Sequence, residues 1–199
     1  MKNSKPNTIK PLLTLKLPNQ GFTLFELLIV ISITAILILL TTPSFKAYSA
    51  QSTSKAIIQK LSGLVRLARN NAIYHQHPTI LCPSKDGIQC SQSWQDGALI
   101  LEDNNNNQKV DNTEAVIHFQ SPLIEQGELR WTALRNYLSF SGQGLSGSSA
   151  GSFIYCPEAN KPNYAQALIV SFSGKIRIAE DANNDGIRES GNAKNIVCL

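Results

Sequence analysis

The chain has 199 residues, is 42% hydrophobic and 16% charged, and carries a formal charge of +4. That length is enough for one domain plus an anchor. The surplus charge belongs to Lys2, Lys5, Lys10 and Lys16, which precede Gly21 without any acid, so the rest of the chain is balanced and overall basicity is no argument for nucleic-acid binding by it.

The basic segment 1–21 leads into Phe22 to Leu40, where Glu26 is the only charged residue. About 20 apolar residues cross a bilayer as a helix, and lysines ahead of them keep the N-terminus cytoplasmic. A secretory signal cut near Ala47-Tyr48-Ser49 is one alternative, and an uncleaved anchor is another. The apolar run is long for a signal, Glu26 lies inside its start and the helical pattern continues past the cut; the uncleaved anchor gives Glu26 no partner, and a carboxylate at membrane depth is costly without one. An α-amino group freed by a cut just before Phe22 would be such a partner.

The run Gly21-Phe22-Thr23-Leu24-Phe25-Glu26-Leu27-Leu28 resembles the processing site of type IV prepilins and type II secretion pseudopilins. The resemblance implies cleavage after Gly21 by a prepilin peptidase and methylation of Phe22. It implies that Glu26 pairs with the terminal amine of a neighbouring subunit during assembly. Pro43 falls where pilins often carry a helix-bending proline. Other pilins or pseudopilins become the implied partners. The implied location is the inner membrane, single-pass with a periplasmic C-terminal domain, and then a pilus at the cell surface.

Beyond Pro43, Ile57, Leu61, Leu64, Ala68 and Ala72 recur at steps of three and four, with Ile58 and Val65 extending the stripe. That spacing predicts an amphipathic helix. Lys55, Lys60, Arg66 and Arg69 fall largely off the stripe and read as solvated charges. Pro78 ends the pattern and biases His77 to an extended backbone. One helix, bent or broken near Pro43, is therefore expected from about Phe22 to about Tyr74. His75 and His77 read as polar residues at its end. Leu67-Ala68-Arg69-Asn70-Asn71-Ala72-Ile73, with the later Trp94-x-Asp96-Gly97 turn, resembles the FimT/GspH-like minor pilins and pseudopilins.

After Pro78 come short β-type runs separated by turn residues. Expected strands are 79–82, 98–102, 115–120, 129–133, 137–141, 152–156, 167–172 and 175–179, with a last one at 195–198. The fold class is α+β: a long N-terminal helix, membrane-spanning and then amphipathic, packed against antiparallel sheets. The resemblance implies a pilin-like, sandwich-like globular domain. The expected organisation is a cleaved leader at 1–21, a transmembrane half-helix at 22–45, an amphipathic half at 46–77 and a β-rich domain at 78–199.

Cys82, Cys90, Cys156 and Cys198 allow three pairings, and delivery outside the cytosol would keep them oxidised. Cys82–Cys90 would close a short loop and Cys156–Cys198 would tie down the C-terminus. Metal ligation is disfavoured, because no Cys-x-x-Cys pair exists and His75, His77 and His118 lack zinc-like spacing. The Gly/Ser-rich stretch 142–151 reads as a flexible loop without the ending of a phosphate loop. Asp103 to Asp111 and Asp181 to Gly186 read as Asx-rich turns. Asp181, Asn183 and Asp185 are weak calcium candidates, since the twelfth position of that loop is Asn192 and not Glu. No enzyme signature and no cofactor motif is present.

DNA-binding FimT-like proteins carry a C-terminal Gly-Arg-x-Arg motif. Gly174-Lys175-Ile176-Arg177 resembles it, with Lys in place of the first Arg. The resemblance implies binding of double-stranded DNA through backbone phosphates for uptake in natural transformation. Lys keeps the charge but not the forked grip of guanidinium. On a strand, Lys175 and Arg177 would share one side, with Ile176 and Ile178 toward the core. Arg188 and Lys194 could join from the following tail, while Glu180, Asp181, Asp185 and Glu189 would blunt the patch. The alternatives are an ordinary edge strand with two solubilising charges, a structural minor pilin that primes pilus assembly, and a type II secretion pseudopilin.

Overall fold

The computed structural model describes residues 21–112, 114–191 and 193–198, apart from the side chains of 39–44. The expected leader before Gly21 lies outside the described residues, as do the side chain of Pro43 and the end of the expected span. A single helix, α1, covers Leu24–His75 and is helical through Pro43. Thr23 starts it: its hydroxyl accepts the Glu26 N–H at 3.2 Å, the use of Thr that a helix N-terminus favours. Among the described residues no helix is long and apolar enough to cross a membrane.

The chain divides into Met1–Thr42 and Pro43–Leu199. In the first unit every described side chain from Phe22 to Ile38 is exposed. The second unit holds all the strands. Gln76 ends α1 with a left-handed backbone, φ 57°, and its side-chain amide donates to the Ile73 and Gly142 carbonyls. These bonds satisfy groups that a helix end would otherwise leave open.

Eight strands follow: β1 Thr79–Pro83, β2 Ala98–Glu102, β3 Val116–Gln120, β4 Glu128–Trp131, β5 Leu138–Phe140, β6 Gly151–Cys156, β7 Gln166–Val170 and β8 Ile176–Ile178. They form two antiparallel sheets, ordered β3-β2-β1-β5 and β4-β6-β7-β8. The main core joins both to one face of α1. Ile58, Leu61, Leu64, Val65, Ala68 and Ala72 cluster with Leu81, Ile100 and Phe140 of the first sheet, and with Phe153, Tyr155, Leu168 and Val170 of the second. Ala68 and Ala72 are fully buried, so small side chains occupy the C-terminal half of the contact face.

β1 and β7 are buried along their whole length. Such strands are covered on both faces and read as continuous apolar runs. On the first sheet, Ile80, Cys82, Leu99 and Leu101 pack under Cys90, Val110 and Tyr137. On the second, Ile154, Ala167 and Ile169 pack under Ile187, Ile196 and Cys198 of the C-terminal tail. The disulfides Cys82–Cys90 and Cys156–Cys198 hold these two covers.

The tail is not the strand expected at 195–198. Among the described residues an isolated bridge, Glu189↔Asn195, is its one β-type pairing. The Val197 carbonyl instead accepts from the Arg130 guanidinium, and the Ile196 N–H donates to Arg188. A tail lying across a sheet face meets side chains and not an open strand edge, so it has no ladder to join.

Candidate nucleic-acid interface

β7 and β8 form a hairpin with Leu168↔Ile178, Ile169↔Arg177 and Val170↔Ile176 in register. The turn between them closes through Gly174 N–H to the Ser171 carbonyl, 2.8 Å, and Ser171 N–H to the Lys175 carbonyl, 2.9 Å. Gly174 has φ 74°, a conformation glycine takes without steric cost. A Cβ there would sit 2.2 Å from the Gly144 carbonyl oxygen and 2.8 Å from Arg69 Nε. Gly174→Ala is therefore expected to lower stability by at least about 2 kcal/mol, from backbone strain plus a clash with another backbone atom. Gly63→Ala, on a helix with open space around it, should be neutral or stabilising by up to about 1 kcal/mol. Urea unfolding of the two variants checks both signs; equal midpoints would contradict the close approach at Gly174.

The 142–151 stretch is packed, contrary to the flexible loop expected from its composition. Ser146 and Ser149 are 2% and 1% exposed. Ser146 Oγ donates to the Ser171 carbonyl at 2.7 Å, and the Ser146 and Gly147 N–H groups donate to Phe172. Its hydroxyls satisfy strand ends, so the loop buttresses the β7–β8 turn.

A groove of about 510 Å³ lies between this turn and α1, lined by Arg66, Arg69 and Asn70 on the helix and Ser173, Gly174, Lys175 and Ile176 on the hairpin. Three of these residues are basic and none is acidic. Among the described residues the ion pairs are Arg130–Glu128 and Lys161–Glu158, so the groove cations are not neutralised by an ion pair. Arg66 and Arg69, read from sequence as solvated charges, were missed. Their spacing of three places both on one helix face, but nothing local shows which loop that face meets.

Arg177 is exposed on β8 and sits across from Ile169, on the face away from Ile176. Ile176 packs against the main core. Ile178 does not face the core as expected: it is 43% exposed, because β8 is a three-residue edge strand with no neighbour beyond it among the described residues. Arg188 and Lys194 do not join the groove. Arg188 donates to the Ala165 carbonyl at 3.1 Å, near the start of β7. The Gly174 turn lies at the other end, roughly 16 Å of strand away. Lys194 belongs to a turn in which its carbonyl accepts from Ser190.

Of the acids expected to blunt the hairpin patch, Asp181, Asp185 and Glu189 are engaged within their own loop, while Glu180 is exposed. Asp181 accepts from the Asp185 and Gly186 N–H groups. Asp185 accepts from Ile187 N–H at 2.8 Å and the Asn195 amide at 2.6 Å, and these bonds, the Ile187 one first, hold its carboxyl below the usual aspartate range. Glu189 accepts from Ala182 N–H. The calcium-candidate oxygens of Asp181, Asn183 and Asp185 thus serve the turn itself. Among the described residues no acidic or His/Cys group of three or more converges as a metal site. Buried Asp103, at the head of the other Asx-rich turn, is pushed up by desolvation, opposed by N–H groups of Asn107 and Gln108.

Two of the motif residues that suggested the subgroup, Asn71 and Trp94, hold the fold together. The Asn71 amide donates to Thr79 and Glu102, tying α1 to the first sheet. Trp94 is buried and donates to Asn136 at 3.1 Å.

Residues 17–42 match the prokaryotic N-terminal methylation motif. No curated protein matches the chain significantly. A crystal structure of the type IV minor pilin FimU of Pseudomonas aeruginosa superposes with a TM-score of 0.53 at 15% identity, over 67% of this chain and 92% of that one. A second crystal form of FimU gives 0.49 at 16% identity, over 63% and 92%. The 0.53 likeness identifies the fold as that of the type IV pilins. The model for type II transport protein GspH matches residues 58–174, from the helix stripe through the hairpin turn, and the chain belongs to that family of pilin-like subunits.

Proposed function

We propose that the chain is a minor type IV pilin that binds double-stranded DNA through its backbone phosphates during natural transformation. The leader 1–21 is removed by a prepilin peptidase and Phe22 is methylated. Helix residues 22–45 anchor the chain in the inner membrane, with the domain in the periplasm. The subunit then joins other pilins in a filament at the cell surface. The match to a methylation motif over residues 17–42 supports the processing steps.

The observation that carries the DNA reading is the acid-free groove with Arg66, Arg69 and Lys175 in its lining; exposed Arg177 lies outside that lining, on the other face of β8. Phosphate contacts need no sequence preference. The test is fluorescence polarisation of the full chain in detergent with a short labelled duplex. Binding should weaken steeply between about 50 and 200 mM salt. Lys175→Gln with Arg177→Gln should reduce affinity at least tenfold at low salt, on the scale of about 1.4 kcal/mol per tenfold. A double variant that binds as the wild type does would defeat the reading.

The family match supports a second reading, a type II secretion pseudopilin whose domain contacts other pseudopilins and not nucleic acid. A structural minor pilin that primes assembly would give the same null result with DNA. Crosslinking in cells to pilus or to secretion-filament subunits separates these two.

A further inference from the structure

The sequence motif that suggested DNA contact has lysine where a first guanidinium is expected, and the fold places another guanidinium beside that lysine. Arg69 comes from α1, far away in the chain. Its Nε donates to the Gly144 carbonyl at 2.9 Å. Gly174, with no Cβ, lets the hairpin turn pass so close that an added Cβ would stand 2.8 Å from that same Nε. The side chain is half-buried between the helix and the turn. No described hydrogen bond or ion pair uses its two Nη groups. A guanidinium fixed by Nε keeps a planar pair of donors free, which is the geometry that grips a phosphate with two parallel bonds. Anchoring also removes rotamer freedom before the ligand arrives, so less ordering cost falls on binding. Arg66, one helical turn earlier, adds a second charge to the same groove.

Resting on the DNA reading above, we propose that the groove between α1 and the β7–β8 turn is a phosphodiester-binding site, in which Arg69 supplies the forked donor and Lys175 the point charge. The helix thereby restores the grip that the Lys-for-Arg exchange removes from the hairpin. Gly174 and Gly144 act as positioning residues: they bring the arginine to the turn without touching the ligand.

The experiment uses the full chain in detergent and a short labelled DNA duplex, titrated across about 50 to 200 mM salt, where each neutralised phosphate contributes a log–log slope near −0.9. Arg69→Lys keeps the charge and loses the fork, so affinity should fall about tenfold while the salt slope stays within a few tenths. Lys175→Arg should then rescue the Arg69→Lys chain to within about threefold of wild type, yet improve the wild-type chain little. A purely structural Arg69 predicts no such rescue. If Arg69→Lys does not fold, Arg66→Gln is measured instead: it should reduce the slope by about one, and an unchanged slope overturns the groove. Wild-type binding that Arg69→Lys leaves intact, or a folded Arg69→Lys chain that Lys175→Arg fails to rescue, overturns this proposal alone. A wild-type chain that binds no duplex at low salt overturns both this proposal and the DNA reading.

Discussion

Chains carrying Glu26→Leu are expected to be processed and to reach the membrane, but to be missing from filaments. The reasoning starts from the helix N-terminus. Phe22, Leu24, Phe25 and the side chains on to Ile38 are exposed around the whole helix, and a helix that is apolar all round belongs in lipid or among other helices. Glu26 is the acid in its first turn. The partial positive charge of the helix end offsets roughly 0.3–1 kcal/mol of a carboxylate's cost there. A charged side chain at the centre of a membrane helix costs about 2.5–3.5 kcal/mol on insertion scales. Glu26 stands in the first turn and not at the centre, so at most about 2 kcal/mol is left for an external cation to recover, and the α-amine of a neighbouring Phe22 is the cation that cleavage after Gly21 would create. That upper limit corresponds to roughly thirtyfold in partitioning between membrane and filament. Immunoblots of sheared filaments and of membranes measure that ratio. Normal incorporation of Glu26→Leu would remove the pairing from the assembly scheme.

Removing the Cys156–Cys198 bridge should cost about 4 kcal/mol, against about 2.5 kcal/mol for Cys82–Cys90. The difference follows from chain entropy: the bridges join residues separated by 42 and 8 positions, and a longer closed loop constrains the unfolded chain more. Small domains have only about 5–15 kcal/mol in total. The packing under the longer loop makes the loss harder to absorb. The tail covers Ile154, Ala167 and Ile169 with few apolar side chains of its own, chiefly Ile187 and Ile196. Without the bridge it has the contact from Arg130 to Val197 and the pairing around Glu189 and Asn195. Urea unfolding of Cys156→Ser with Cys198→Ser, beside Cys82→Ser with Cys90→Ser, gives the comparison. A smaller shift for the longer loop would show that the tail holds by packing alone.

Sequence reading worked best where one element carries its own period. The stripe from Ile57 to Ala72 needed only helical geometry, and it became the helix side of the core. Strands β1 and β2 began where an apolar run followed turn residues, at Thr79 and Ala98. The reading failed where burial depends on another segment. Ser146 and Ser149 look like linker residues in sequence, yet they are buried because Phe172, Ser171 and Ser139 provide their partners. Ile178 alternates as a core residue should, yet it is exposed because β8 is the edge strand of its sheet among the described residues.

The candidate site divides along the same line. Periodicity was enough to find the helix stripe and the α+β class, and family resemblance drew attention to the Gly21–Glu26 and Gly174–Arg177 runs, because each is written in residues close together in the chain. Folding alone decided that Arg69 would meet Gly144 and Gly174, that Arg188 would be spent on Ala165, and that Asp181, Asp185 and Glu189 would turn into their own loop. Those outcomes depend on contacts between residues far apart in sequence, and short-range periodicity contains no term for them.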